Sequence, residues 1–388
     1  MALAQLGLQE TLAAAGLTAE GLYDELTEGG TRSVRLDELL YLAAHRVPGL
    51  VPTRAEMELE AALPLPSKTG IELSQGMLIS KWLSDPEIGL HLLGAMLEPT
   101  RLALDSLEQY RDAGSIDFGP VQITRRGRAA IVELSNPRHL NAEDRTTLEF
   151  TEAAIDLVNL DPEVDVGVFR GGAVEHERYR GERVFGSGIN LTHLYHGLID
   201  YLFYVERDLG YVNKLYRGTN GPLGEHEKLW IAVVERFAIG GACQLLHTMD
   251  HVIGTRGARL MLPARREGII PGASNLRLPR FVGDRAARQA ILSGREWTVG
   301  DPDAELICDE TVEPDQVEAA LDARIEALGS SGLLNGVANR RVIRAGQEPL
   351  DLFRQYMAEY AREQALCHLS PALVRNLEVN WDAANRAL

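Results

Sequence analysis

Phe237-Ala238-Ile239-Gly240-Gly241-Ala242-Cys243-Gln244 stands where a short apolar run, Ile231-Ala232-Val233-Val234, gives way to an apolar helical pattern. Glycines at such a junction let another molecule approach the backbone closely and leave the first helical N–H groups free to donate. Upstream lies a second glycine turn, Phe185-Gly186-Ser187-Gly188-Ile189-Asn190-Leu191, which follows a loop rich in Arg and His. Either turn alone is compatible with plain packing, so their setting matters. Val121-Gln122-Ile123-Thr124 alternates, Arg126-Gly127-Arg128 turns, and Ala130-Ile131-Val132-Glu133-Leu134 continues, which predicts a hairpin. A helix is expected over 141–159, and Val166-Gly167-Val168-Phe169 and Ile231-Ala232-Val233-Val234 read as buried strands. Helix and strand patterns alternate to about Leu262, as βαβ units require.

On either side of this region the pattern is helical. Residues 1–114 read as a helical N-terminal domain. Ser84-Asp85-Pro86-Glu87 is a helix start, Leu90, Leu93 and Leu97 follow at helical spacing, and Pro99 splits the element before Leu104 and Leu107. No catalytic pattern occurs there, so an accessory domain or an oligomer surface is expected. A linker is expected over 113–120, a core over 115–310 and a C-terminal helical region over 311–388. From Asp284 onward the reading is mostly helical, clearest over 285–292 and 315–328.

Composition narrows the function. The formal net charge of −17 argues against an extended nucleic-acid surface, which needs clustered cations. With 45% hydrophobic and 24% charged residues the chain is globular, not disordered. Cys243, Cys308 and Cys367 form no CxxC pair and fit a reducing compartment without disulfides. Gln5, Gln9 and Glu10 interrupt the opening segment, which reads as a helix and not a secretory leader, and no apolar run reaches membrane-span length. A cytoplasmic protein with no membrane partner is expected. The GxGxxG dinucleotide fingerprint, the Walker A motif and GxSxG are all absent.

The two glycine turns, in this order, resemble the oxyanion hole of the crotonase (enoyl-CoA hydratase/isomerase) superfamily. The resemblance spans about 119–320 and includes Asn136-Pro137-Arg138-His139-Leu140-Asn141-Ala142, Gly268-Ile269-Ile270-Pro271-Gly272 and Leu278-Pro279-Arg280. It implies an α/β fold with a ββα spiral core. It also implies that the N–H groups of Ile189 and Gly241 hold a thioester oxygen as it gains charge. Crotonase hydratases use two glutamates to handle water; the matching positions here carry Gln244 and Ala264. An amide has no pKa usable by a general base, so the hydratase reading loses both groups. For Gln244 itself, an active-site role stands beside that of a polar residue capping a cavity wall.

Glu267 to Leu278, the Phe-x-x-Gly-Ile-Asn-Leu form of the first turn, Asp208-Leu209-Gly210-Tyr211 and the helical N-terminal extension are similar to one branch of the superfamily. That branch oxygenates an arylacetyl-CoA thioester, serves dihydroxyphenylglycine formation in antibiotic biosynthesis and uses no metal or organic cofactor. The resemblance implies that 3,5-dihydroxyphenylacetyl-CoA and O2 give the aryl glyoxylate and free CoA through an enolate. A crotonase-type thioester hydrolase or isomerase, and a non-catalytic acyl-CoA-binding member, are the alternatives. Glu143 matches a position expected to meet a ring hydroxyl; an acid favoured by the helix dipole is the competing reading. Arg207 is a candidate for the ring hydroxyls or the thioester region, or else a solvated side chain. Arg138, His176 and Arg183 flank the path that CoA phosphates and adenine take in the superfamily. The pairs His193/His196 and His247/His251 have metal-like spacing, but no third ligand accompanies either, so no metal site is expected. Relatives commonly form trimers and dimers of trimers, and a homo-oligomer is expected here too.

Overall fold

Val121 and Ile123 are buried while Gln122 and Thr124 are exposed, and this alternation builds the predicted hairpin. The computed structural model describes residues 2–221, 224–329, 333–386 and 388, the side chains of 2–6 and 333 excepted. Its described strands are β1 (Ser115–Asp117), β2 (Val121–Arg126), β3 (Ala129–Leu134), β4 (Val166–Gly171), β5 (Leu229–Val234), β6 (Phe237–Ile239), β7 (His251–Thr255), β8 (Arg259–Met261), β9 (Glu296–Thr298) and β10 (Glu310–Val312). Seven of them form one sheet in the order β1-β2-β3-β4-β5-β7-β10, antiparallel from β1 to β3 and parallel from there on. Every residue of β4 and β5 is buried, which is why 166–169 of β4 and all of β5 read as apolar runs, while Arg170 near the end of β4 is paired with Glu235 and Glu318. After β5 the chain passes through Arg236, in the left-handed region at φ 64°, and enters the small sheet β6-β8-β9. The α/β spiral core expected from the two glycine turns is the architecture found.

One face of the main sheet is closed by the Val317–Gly329 helix, whose Val317 and Leu321 pack on Val166, Val168, Ile231 and Val233. The other face joins a single apolar core that runs from Leu8 through Trp82, Trp230 and Met357 to Ala383. All three expected segments therefore share it. The Leu350–His368 helix returns to lie along the Leu73–Ser84 helix, so close that a Cβ on Gly76 would stand 2.5 Å from Ala365 Cβ.

Asp85 caps the Pro86–Leu97 helix and a further helix, Arg101–Ala113, starts after Pro99, as read from the sequence; its cap is Thr100. Two expectations are corrected. The supposed linker over 113–120 contains β1, an edge strand paired to β2. The helix expected from 141 starts at Arg145, because Leu140 and Asn141 adopt left-handed φ values of 55° and 54° and Asp144 supplies the cap. The stretch after Asp284 is mostly helical, as expected, and also holds the short strands β9 and β10. In the polar connection over 219–227, Thr219 pairs with His226, while residues 222 and 223 lie outside the described ones.

Candidate active site

Asn141 fixes the first wall of the site. Its buried amide donates to Gly172 O (2.8 Å) and Val184 O (2.7 Å), and its Oδ1 accepts from Asn136 N (2.9 Å). The chain is thereby delivered in extended form to Glu143, which runs parallel to Ile189: Glu143 N donates to Gly188 O (2.7 Å) and Asn190 N to Glu143 O (2.8 Å). Across the first turn, Ile239 N donates to Gly186 O (3.0 Å), so the two glycine turns are pinned side by side. Gly188 has φ +83°, and a Cβ on it would stand 2.7 Å from Ile239 O and 2.8 Å from Gly241 N. Among the described residues neither Ile189 N–H nor Gly241 N–H has a protein acceptor. Two unpaired donors converging in a recess fit an oxygen that gains negative charge.

Behind these amides lies a buried polar cluster. Arg207, in the last turn of the Tyr201–Leu209 helix, donates to Glu143 (2.5 and 3.0 Å), to Gln244 Oε1 (2.9 Å) and to Gly241 O (2.8 Å). Tyr211 also donates to Glu143. Glu143 therefore stands ahead of its helix and faces Arg207, not the helix dipole. Burial works against the charge on Arg207, but Glu143 beside it more than offsets this and holds the guanidinium above its ordinary value. Asp208 is pushed up by burial, with Arg207 opposing, and burial likewise raises the Tyr211 hydroxyl. Gln244 is buried. Its Oε1 is committed to Arg207, and among the described residues its Nε2 has no acceptor, which leaves that amide free to donate. The turn at Gly272 closes the floor: a Cβ there would meet Asp208 Oδ1 at 2.5 Å and Gln244 Oε1 at 2.6 Å.

Ile189 opens onto a cavity of about 450 Å³. Arg138 and His176 line it, joined by Arg178, Arg259, Arg266 and Arg386, so an overall acidic protein presents a locally cationic cleft. Arg183 is not brought to this lining; it is held by Glu133 and by Gly171 O at 3.2 Å. Glu267, quoted above only as part of a motif, also lines the cavity. Its carboxylate has no hydrogen bond or ion pair among the described residues, and burial pushes it up to about 7. A sequence signal for it existed, since Glu267 falls three residues after Ala264 and so shares its helix face.

The histidine pairs separate. His193 Nδ1 lies 2.9 Å from Asp144, His196 Nε2 meets Arg386 O at 2.9 Å, His247 Nδ1 meets Ser274 at 2.9 Å, and His251 begins β7. Among the described residues no group of three or more His, Cys, Asp or Glu side chains is placed to hold a metal ion, and no helix is long and apolar enough to cross a membrane.

Two glycine turns joined by a β-bridge between parallel strands, with unpaired amides beside a cationic cleft, define an acyl-thioester enzyme fold. The family model described as enoyl-CoA hydratase/isomerase matches residues 125–361, and the chain belongs to that family. It is 46% identical over 355 residues, covering 90% of this chain and 81% of the relative, to (3,5-dihydroxyphenyl)acetyl-CoA 1,2-dioxygenase of Amycolatopsis orientalis. A short-chain-enoyl-CoA hydratase of Clostridium acetobutylicum is 27% identical over 52% of this chain and 72% of its own length. Among solved structures, carnitinyl-CoA hydratase from Mycobacterium avium superposes with a TM-score of 0.56 at 22% identity, covering 69% of this chain and 97% of its own. Enoyl-CoA hydratase from Bacillus halodurans gives a TM-score of 0.55 at 17% identity, over 67% of this chain and 100% of its own. These structural likenesses concern the fold.

Proposed function

We propose that this protein is a metal- and cofactor-independent dioxygenase that converts 3,5-dihydroxyphenylacetyl-CoA and O2 to 3,5-dihydroxyphenylglyoxylate and CoA. The observation that carries the reading is Gln244, locked by Arg207 beside Gly241 where a hydratase needs a carboxylate. The relative from Amycolatopsis orientalis, whose name states this substrate and reaction class, supports it.

The thioester oxygen sits between Ile189 and Gly241 N–H, and the aryl ring extends toward Glu143 and Arg207. The α-carbon lies between a carbonyl and an electron-rich ring, so its carbanion is delocalised into both. Donors already in place spare the site any reorganisation as charge develops. The enolate donates to O2 at the α-carbon, and the resulting peroxide attacks the acyl carbon and expels CoA thiolate. Loss of the second α-hydrogen as a proton to solvent puts its bonding pair into the keto C=O and breaks the O–O bond, which leaves the keto acid as its carboxylate. Arg138, His176 and the other cationic groups of the cleft hold the CoA phosphates; Arg183, tied to Glu133, shapes the loop. The cytoplasmic location, the trimer or dimer of trimers and the place in antibiotic biosynthesis belong to the same proposal.

The test is thiol release and O2 uptake on chelator-treated protein supplied with the arylacetyl thioester. One thiol per O2 is expected. Thiol release that persists without oxygen would make the protein a hydrolase, and binding without turnover would make it an acyl-CoA-binding member.

A further inference from the structure

We propose that the Glu267 carboxylate takes the α-proton of the arylacetyl thioester, an assignment that rests on the oxygenase reading above. A Cβ built on Gly240 would stand 3.3 and 3.7 Å from the two oxygens of Glu267 and 3.7 Å from Gly188 Cα. The carboxylate therefore lies against the backbone that carries Gly241 N–H and faces the turn that carries Ile189 N–H. It opens into the same cavity as Ile189.

Glu267 is held on a firm support. Gly268 N donates to Ala264 O (2.7 Å), closing the Ala264–Glu267 turn. From the Pro371–Trp381 helix, Asn376 donates to Arg265 O (3.2 Å) and Asn380 to Arg266 O (3.0 Å). The other acids near the amides are committed: Glu143 to Arg207 and Tyr211, and Asp208 to Ala273 N at 3.2 Å beside Arg207. Glu267 alone among these three is without a donor.

Its chemistry suits the task. Burial brings its proton affinity to about 7, close to working pH, where a general base acts best. Tyr204 of the Tyr201–Leu209 helix senses its charge, His139, His176, Arg259 and Arg266 share its cavity wall with the other cleft arginines, and Glu378 of the overlying helix is turned to Tyr195 (2.8 Å). In the step, the Cα–H bond breaks and the proton passes to Glu267. The bonding pair becomes the Cα–C π bond, and the negative charge goes to the acyl oxygen at Ile189 and Gly241. The departing CoA thiolate then takes that proton and restores the carboxylate.

The experiment compares wild type, Glu267→Gln and Glu267→Asp in D2O without oxygen, reading deuterium at the α-carbon of the thioester by mass spectrometry. Calorimetry measures binding of a thioether analogue in parallel. Exchange and aerobic turnover are expected to fall about 10²–10⁴-fold in Glu267→Gln with analogue binding unchanged, and to return in part in Glu267→Asp. Wild-type exchange in Glu267→Gln, or a parallel loss of binding and exchange in both variants, would overturn the assignment. Wild-type exchange without O2 uptake would overturn the oxygenase reading and leave Glu267 as the base; absence of exchange in the wild type would overturn the assignment.

Discussion

A methyl group on residue 188 would have to share the space next to Ile239 O and Gly241 N, at 2.7 and 2.8 Å, in a backbone conformation of φ +83° that side chains resist. Gly188→Ala is therefore expected to part the two turns and spoil one amide donor. Its kcat should fall about 10²–10³-fold while binding of free CoA at the cationic cleft is retained, as measured by steady-state kinetics and calorimetry. An unchanged kcat would show that the turns do not act together. That Ile189, Gly241 and Gln244 stand close together was legible from their places in two short motifs. Glu267 was quoted and given no role, since nothing local says that Gly240 approaches it from another part of the chain. Arg183 looked like its cationic neighbours, and only the fold shows Glu133 capturing it.

At the scale of elements, helix starts and strand periods were readable wherever a cap or an alternation marked them. They failed where a left-handed pair, Leu140 and Asn141, delayed a helix for the sake of the site. Contacts between distant elements carry no such mark. Glu348, fully buried, gathers Arg277 (2.9 Å), Arg217 (3.0 Å) and Arg280 (2.8 Å) from other parts of the chain. Burial opposes its charge, but the three guanidinium groups prevail and pull its carboxyl from 4.5 down to about 2. A depressed carboxyl stabilises the fold above its unfolded value, and that stabilisation is lost as pH falls from about 4.5 through about 2. Glu348→Gln should accordingly cost about 3 kcal/mol at neutral pH and flatten the acid limb of stability, read by denaturant unfolding across pH. An unaltered acid limb would contradict this.

Across the whole molecule, the sequence shows three regions but not how they close on one another. The Leu350–His368 helix reaches back to Leu73–Ser84 across Gly76, and sends Tyr356 to Gly272 O beneath the site. Arg35 of the N-terminal region meets Glu152 at 2.8 Å, and Glu152 in turn binds Lys214 at 2.7 Å, so an ion network ties the outer helices to the Tyr211–Arg217 helix, whose Tyr211 donates to Glu143 in the recess. Removing one member of such a network leaves a buried charge unpaired, which gives the helical regions a part in holding the recess. In the proposed reaction this recess stabilises an enolate whose peroxide attacks its own thioester. This reaction is tested most directly by turnover under 18O2 in ordinary water with mass spectrometry of the glyoxylate. Both labelled atoms are predicted in the product, one at the keto group and one in the carboxylate; a carboxylate oxygen drawn from water would contradict the account.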